Sequence, residues 1–194
     1  MGFFYASIFY LASLKAFSYI RHMAEYIRSR AFFQKNKDAE KKQEHPIIVC
    51  WKLITPNNLG SILRLADNMA CEKVLFVDEN PSFKDRNIKK TAQISFKAIE
   101  WEFCTPENWK QHIPSGYQLI AIETAQPSSN LYTSKLPGKS VFFVGNEKVG
   151  LDDEPLKEVE KSVYIPMKGH NKSMNVSHAL TIVLGEWMRQ NYYP

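Results

Sequence analysis

From residue 46 onward, short apolar runs alternate with stretches in which apolar residues recur every three or four positions. The apolar runs predict strands at residues 47–51, 74–77, 98–103, 118–122, 141–144 and 163–165. Helical spacing predicts helices at residues 59–70, near 106–112 and at 175–191. Strands separated by helices cannot pair through tight hairpins. The alternation therefore predicts an α/β fold, a mostly parallel sheet with helices on both faces.

In an open parallel sheet, ligands sit beyond the carboxyl ends of the strands, so the loops after the apolar runs are where chemistry is expected. Three loops stand out: residues 55–64 (TPNNLGSILR), 144–151 (VGNEKVGL) and 165–177 (IPMKGHNKSMNVS). In the first, Pro56, Asn57 and Asn58 signal a turn and a helix start, and Gly60 allows a backbone or a ligand to approach the first helical turn. Arg64 follows Asn58 by six residues, within two helical turns, so both side chains can face one mouth. The same residues also fit a helix cap and a surface arginine. The second loop flanks Glu147 with Gly145 and Gly150, a turn whose exposed amides and carbonyls suit a small polar ligand. It lacks the Gly-Lys-Ser/Thr ending of a phosphate loop and the spacing of a dinucleotide loop. The third loop runs through Ser173 and Asn175 into the last helix, which either residue can cap. Apolar residues of that helix occupy more than one stripe, so it is expected to be buried by the domain and by a partner, as in a homodimer.

Together these loops resemble the TrmH/SpoU branch of the SPOUT RNA methyltransferases. That family carries N-x-G-x-x-x-R near the start of its domain, G-x-E-x-x-G after a middle strand, and I-P-M followed by S-L-N-V-S before the last helix. This chain has Asn58 to Arg64 as NLGSILR, Gly145 to Gly150 as GNEKVG, Ile165-Pro166-Met167, and Ser173 to Ser177 as SMNVS. The resemblance covers residues 46–191. Two departures are Met174, where leucine is usual, and Ala70, where the family often has glycine.

The resemblance implies a C-terminal trefoil knot and S-adenosylmethionine as cofactor, held around Glu123, Thr124, Gly145, Ile165, Met167 and Met174. It further implies transfer of a methyl group to a ribose 2′-hydroxyl of RNA, with transfer RNA favoured over ribosomal RNA. Arg64 takes the central role, while Asn58, Glu147, Ser173 and Asn175 shape the acceptor site and hold Arg64 in place. Because an arginine is effectively never neutral, Arg64 is expected to bind the acceptor phosphate and stabilise a developing alkoxide instead of abstracting a proton. The alternative is a catalytically inactive knotted RNA-binding module.

Composition and charge refine this picture. An apolar fraction of 44% with four Trp, nine Tyr and twelve Phe excludes disorder as a whole. Residues 1–45 hold eight Lys/Arg against four Asp/Glu, which leaves +1 of the net +5 for residues 46–194. Residues 1–45 are thus expected to be a helical extension with a charged linker, ahead of a methyltransferase domain at 46–194. The uncharged start, residues 1–14, is too short to span a bilayer before Lys15 and lacks a basic leader, so a membrane role is not expected. Cys50, Cys71 and Cys104 have no C-x-x-C spacing and read as small buried hydrophobes in a reducing, cytoplasmic setting, with no metal implied.

Overall fold

The computed structural model describes residues 44–193 and, ahead of them, Ala31 and Phe33. Apart from Ala31 and Phe33, which are helical, the expected N-terminal extension before Glu44 lies outside the described residues.

Strands β1 (Ile47–Trp51), β2 (Lys73–Val77), β3 (Glu100–Cys104), β4 (Gln118–Ile122), β5 (Ser129–Asn130), β6 (Ser140–Val144) and β7 (Lys161–Tyr164) form one sheet. Its order is β3-β2-β1-β6-β4-β7-β5, and every pair is parallel. β1 and β6 are central and buried at every position, which is why their sequences do not alternate and, apart from Ser140, are apolar. Although later in sequence, β7 is inserted between β4 and β5.

The helices are α1 (Pro56–Asn68), α2 (Asp85–Ala92), α3 (Ser95–Ala98), α4 (Asp153–Glu158) and α5 (Val176–Tyr192), with 3-10 turns at Trp109–His112 and Leu131–Thr133. On one face of the sheet Ile48, Cys50, Phe76, Phe142 and Val144 pack with Leu59, Ile62 and Leu63 of α1 and Leu180, Val183, Leu184 and Trp187 of α5. On the other, Ile47, Val49, Trp51, Leu75, Val141 and Phe143 are covered by Trp109, Leu151 and the partly buried Ile113 and Leu156. Helices thus lie on both faces, as expected, but unequally. The long helices share one face, and a 3-10 turn with the six-residue α4 covers the other.

Two small residues fix α1. A Cβ on Gly60 would stand 2.7 Å from the carbonyl oxygen of Ile88 and 2.7 Å from Thr91 Cβ, so Gly60 admits α2 and no ligand. Just past the end of α1, Ala70 has φ 50°, and the Cys71 N–H donates to the carbonyl of Ala66 at 2.9 Å. That left-handed position costs alanine about 1 kcal/mol and explains why a glycine belongs there.

α5 is packed by its own domain on several sides. Val176, Ala179, Ile182 and Met188 are partly buried against the core of their own domain. The exposed stripe is His178, Thr181, Gly185 and Arg189. Near its end Glu186 accepts from Arg189 Nε and Nη2, each at 2.8 Å, and from Gln190. Gln190 in turn bonds the Leu136 N–H and the Ser134 carbonyl, so the helix end is tied to residues 131–136.

The three cysteines are free and buried, and burial pushes the Cys71 thiol up to about 12 and Cys104 up to about 11. Cys104 does share one patch with Glu102 and His112, with ligand atoms within 4.8 Å of one another. Tertiary structure makes this grouping, and sequence spacing does not show it. Among the described residues no helix is long and apolar enough to cross a membrane.

Candidate active site

The loops after β1, β4, β6 and β7 meet at the carboxyl ends of the strands around a cavity of about 950 Å³. The site is organised from Glu147, in the loop after β6. Its Oε2 accepts the Ile54 N–H at 2.9 Å, and its Oε1 accepts the Thr55 N–H at 3.0 Å and Asn58 Nδ2 at 2.8 Å. Thr55 precedes α1 without capping it through its own side chain. The Glu147 carboxylate thus serves the start of α1 from some 90 residues away, where the positive end of a helix favours an anion.

A carboxylate only accepts hydrogen bonds, and this fixes the direction of the bonds that follow. Asn58, 8% exposed, must turn its amide nitrogen to Glu147, leaving Oδ1 to accept from Asn175 Nδ2 at 3.0 Å. Asn175 then has Oδ1 free to accept the Ser177 N–H at 2.9 Å and Ser177 Oγ at 2.7 Å, capping α5. One polar chain, Glu147–Asn58–Asn175–Ser177, therefore locks the three loops singled out from the sequence. The cap reading of Asn175 and its place in the site are the same fact.

Burial works to raise the Glu147 carboxyl, but the donors from Ile54, Asn58 and Thr55 outweigh it and hold the group below the usual carboxylate range. Glu147→Gln would replace one acceptor oxygen with an NH₂ facing donors. We expect a loss of about 1–3 kcal/mol, read as a lower urea midpoint at pH 7. The sign with pH follows from the lowered value. The stabilisation from Glu147 is complete above the ordinary carboxylate range and is lost as pH falls through the lowered value, so the variant's deficit should shrink in acid.

Gly145 is pinned by backbone. A Cβ there would stand 2.2 Å from the carbonyl carbon of Gly150 and 2.3 Å from the nitrogen of Leu151. The loop closes as a small bridge between Asn146 and Gly150, and Gly150 adopts φ 73°. Glu123, at the end of β4, braces the same turn. Its Oε2 accepts the Leu151 N–H at 3.0 Å and its Oε1 accepts the Thr124 N–H at 2.7 Å. Ser173 lies exposed in the third loop and bonds Asn171 through both N–H and Oγ.

Of the residues the sequence pointed to, Asn58, Glu123, Thr124, Gly145, Glu147, Ile165, Met167, Ser173, Met174 and Asn175 line the cavity. Arg64 does not. It is exposed two turns along α1, and no hydrogen bond of the Glu147 chain reaches it, so the expectation that those residues hold Arg64 in place is corrected. Two helpers escaped the sequence reading. Asn146 Nδ2 donates to the Lys52 carbonyl at 2.7 Å, joining the loops after β1 and β6. Lys172 Nζ donates to the Met167 carbonyl at 2.9 Å and closes the third loop. Asn146 was legible only as part of a turn, and nothing in the spacing marks Lys172.

The pattern of the SpoU rRNA Methylase family matches residues 45–185. The 23S rRNA (guanosine-2′-O-)-methyltransferase RlmB of Neisseria meningitidis is 29% identical over 154 residues, covering 78% of this chain and 61% of that protein. The tRNA (guanosine(18)-2′-O)-methyltransferase of Aquifex aeolicus is 26% identical over 156 residues, covering 78% of this chain and 72% of that protein. An AdoMet-bound rRNA methyltransferase from Sinorhizobium meliloti is similar in structure, with a TM-score of 0.69 and 26% identity over 77% of this chain and 58% of its own. This chain spans about three fifths of the Neisseria protein.

Proposed function

We propose, because this chain belongs to the SpoU rRNA methylase family, that it is an S-adenosylmethionine-dependent RNA ribose 2′-O-methyltransferase, with transfer RNA favoured over ribosomal RNA. The observation that carries this reading is the Glu147–Asn58–Asn175 chain, which draws three separate loops around one cavity. The preference for transfer RNA rests on the Aquifex tRNA enzyme, of which this chain covers the larger share of the two relatives above.

The cavity fits the cofactor class. Ile122, Ile165, Met174 and Val176 offer apolar walls for a base, and the buried backbone around Gly145 offers amide and carbonyl partners for its edge. When bound, S-adenosylmethionine supplies a methyl group electrophilic enough for a ribose oxygen. The chain's own residues supply position and charge. Asn58 and Asn175 are held in single orientations, Ser173 presents its hydroxyl at the rim, and Arg64 contributes a permanent cation outside the wall. A trefoil knot is part of the proposal, supported by the insertion of β7 between the earlier strands β4 and β5. So is a homodimer through α5. Its supports are the half-buried Ala179, Ile182 and Met188 beside Gly185, where an added Cβ would meet open space.

The test is calorimetry with S-adenosylmethionine and its demethylated product, followed by transfer of labelled methyl to transfer RNA and to 23S RNA and mapping of the modified ribose. Binding of both ligands and 2′-O-methylation are expected. Cofactor binding with RNA bound but never methylated would instead identify an RNA-binding module. Light scattering on the same sample should give twice the chain mass of 22.5 kDa.

A further inference from the structure

Positive charge in the folded unit is concentrated in one segment. Residues 84–97, which hold α2 and α3, carry Lys84, Arg86, Lys89, Lys90 and Lys97 against the single acid Asp85. Residues 46–194 as a whole net only +1, so the rest of the domain is net acidic. All five cations are exposed, and among the described residues none of them is in a salt bridge. Lys89 packs its Nζ 4.7 Å over the Phe96 ring, which steadies it without neutralising it. α2 itself is held by only two buried side chains, Ile88 and Ala92, and by the close approach at Gly60. Like charges crowded on so short a helix repel one another, and the position of the patch gives that charge a use.

α2 adjoins the mouth of the cavity. Thr91 Oγ1 donates to Asn57 Oδ1 at 3.2 Å, and Asn57 lines the cavity. Along α1, positions 57, 60 and 64 fall on one side at helical spacing. Gly60 is in contact with α2, so Arg64 projects from the α2-facing side. The rim and Arg64 thus border the helix that carries the cations. Lysines and arginines without base-reading partners suit a phosphate backbone read without regard to sequence.

We infer that the α2–α3 surface is the docking strip for the phosphate backbone of the RNA strand whose nucleotide enters the cavity. The inference rests on the RNA-methyltransferase reading for the identity of the polyanion. The experiment uses the full chain with Lys84→Gln, Arg86→Gln and Lys90→Gln combined, leaving Lys89, which packs on Phe96, and Thr91, which bonds Asn57. Binding to a labelled transfer RNA transcript is measured by anisotropy across a salt series, with cofactor calorimetry as a check on folding. Affinity is expected to fall at least about tenfold at physiological salt, and the log–log salt slope by about 2 to 3. Asp85→Lys, a change in the opposite sense, should steepen the slope by about 1. Unchanged slopes in both variants would overturn the inference. So would loss of binding to phosphatidylserine vesicles with RNA binding intact, which would make the strip a membrane-facing patch. Altered slopes in a protein that never methylates RNA would leave the strip standing and remove the enzyme reading, so the two failures are distinguishable.

Discussion

Gly145→Ala is expected to weaken S-adenosylmethionine binding by at least about fivefold, and Gly145→Val by little more. Two explanations of this glycine make different forecasts. If the position is kept bare to leave room for a ligand, a methyl group is tolerated better than a branched side chain. In the structure the obstacle is the protein's own backbone, 2.2 Å from the first added carbon, so alanine already meets most of the penalty. Backbone yields less readily than a side-chain end, and overpacking of this kind costs about 1–3 kcal/mol, which converts to roughly 5- to 150-fold in an equilibrium. The displaced partners, Gly150 and Leu151, are the residues whose turn Glu123 braces, so the distortion reaches the cavity wall directly. Gly150→Ala gives a useful contrast. Its Cβ would meet the far end of Glu123 at 2.5 Å, which can swing away, but at φ 73° any side chain is strained. Calorimetry on the variants, with circular dichroism to confirm the sheet, separates the cases. Full affinity in Gly145→Ala would show that the turn yields.

How far the fold was legible depended on whether an element's character came from its own residues or from its neighbours. β1, β4 and β6 fell close to the expected spans because buried central strands are apolar at nearly every position. α2 was missed because it is short and polar, and Ile88 and Ala92 alone are too few apolar residues to mark a helix against the charged residues around them. Ala98 was placed at the start of a strand, yet Ser95–Ala98 forms a helical turn in which Ser95 Oγ bonds Asp67 of α1. That is a tertiary contact with no local trace. The candidate site followed the same rule. Asn58, Glu147 and Asn175 could be singled out individually, but their bonding order depends on a carboxylate meeting the start of a helix distant in sequence. Gly60 and Gly145 were legible as glycines whose reason lay elsewhere, since both admit protein backbone where a ligand was also an option.

Arg64→Ala is expected to lower methyl transfer at saturating RNA by about 100-fold or more, the scale of removing one electrostatic stabiliser from a reaction centre. Cofactor affinity should stay the same, because Arg64 is absent from the cavity wall and from every hydrogen bond of the Glu147 chain. Its exposed position on α1 requires that it meet the acceptor strand outside the cavity, on the side where Gly60 touches α2. A guanidinium there presents a planar fork to a phosphate and a neighbouring oxygen together, and its charge opposes the alkoxide that forms as the hydroxyl loses its proton. Arg64→Lys keeps the charge without the fork and should recover only a small part of the rate. The discriminating measurement is single-turnover transfer with RNA titrated to saturation. A residue acting at the reacting oxygen lowers the plateau rate, whereas one that only grips the backbone raises the RNA concentration needed to reach an unchanged plateau. A normal plateau with weakened RNA binding would move Arg64 out of the chemistry and into the gripping of the RNA backbone.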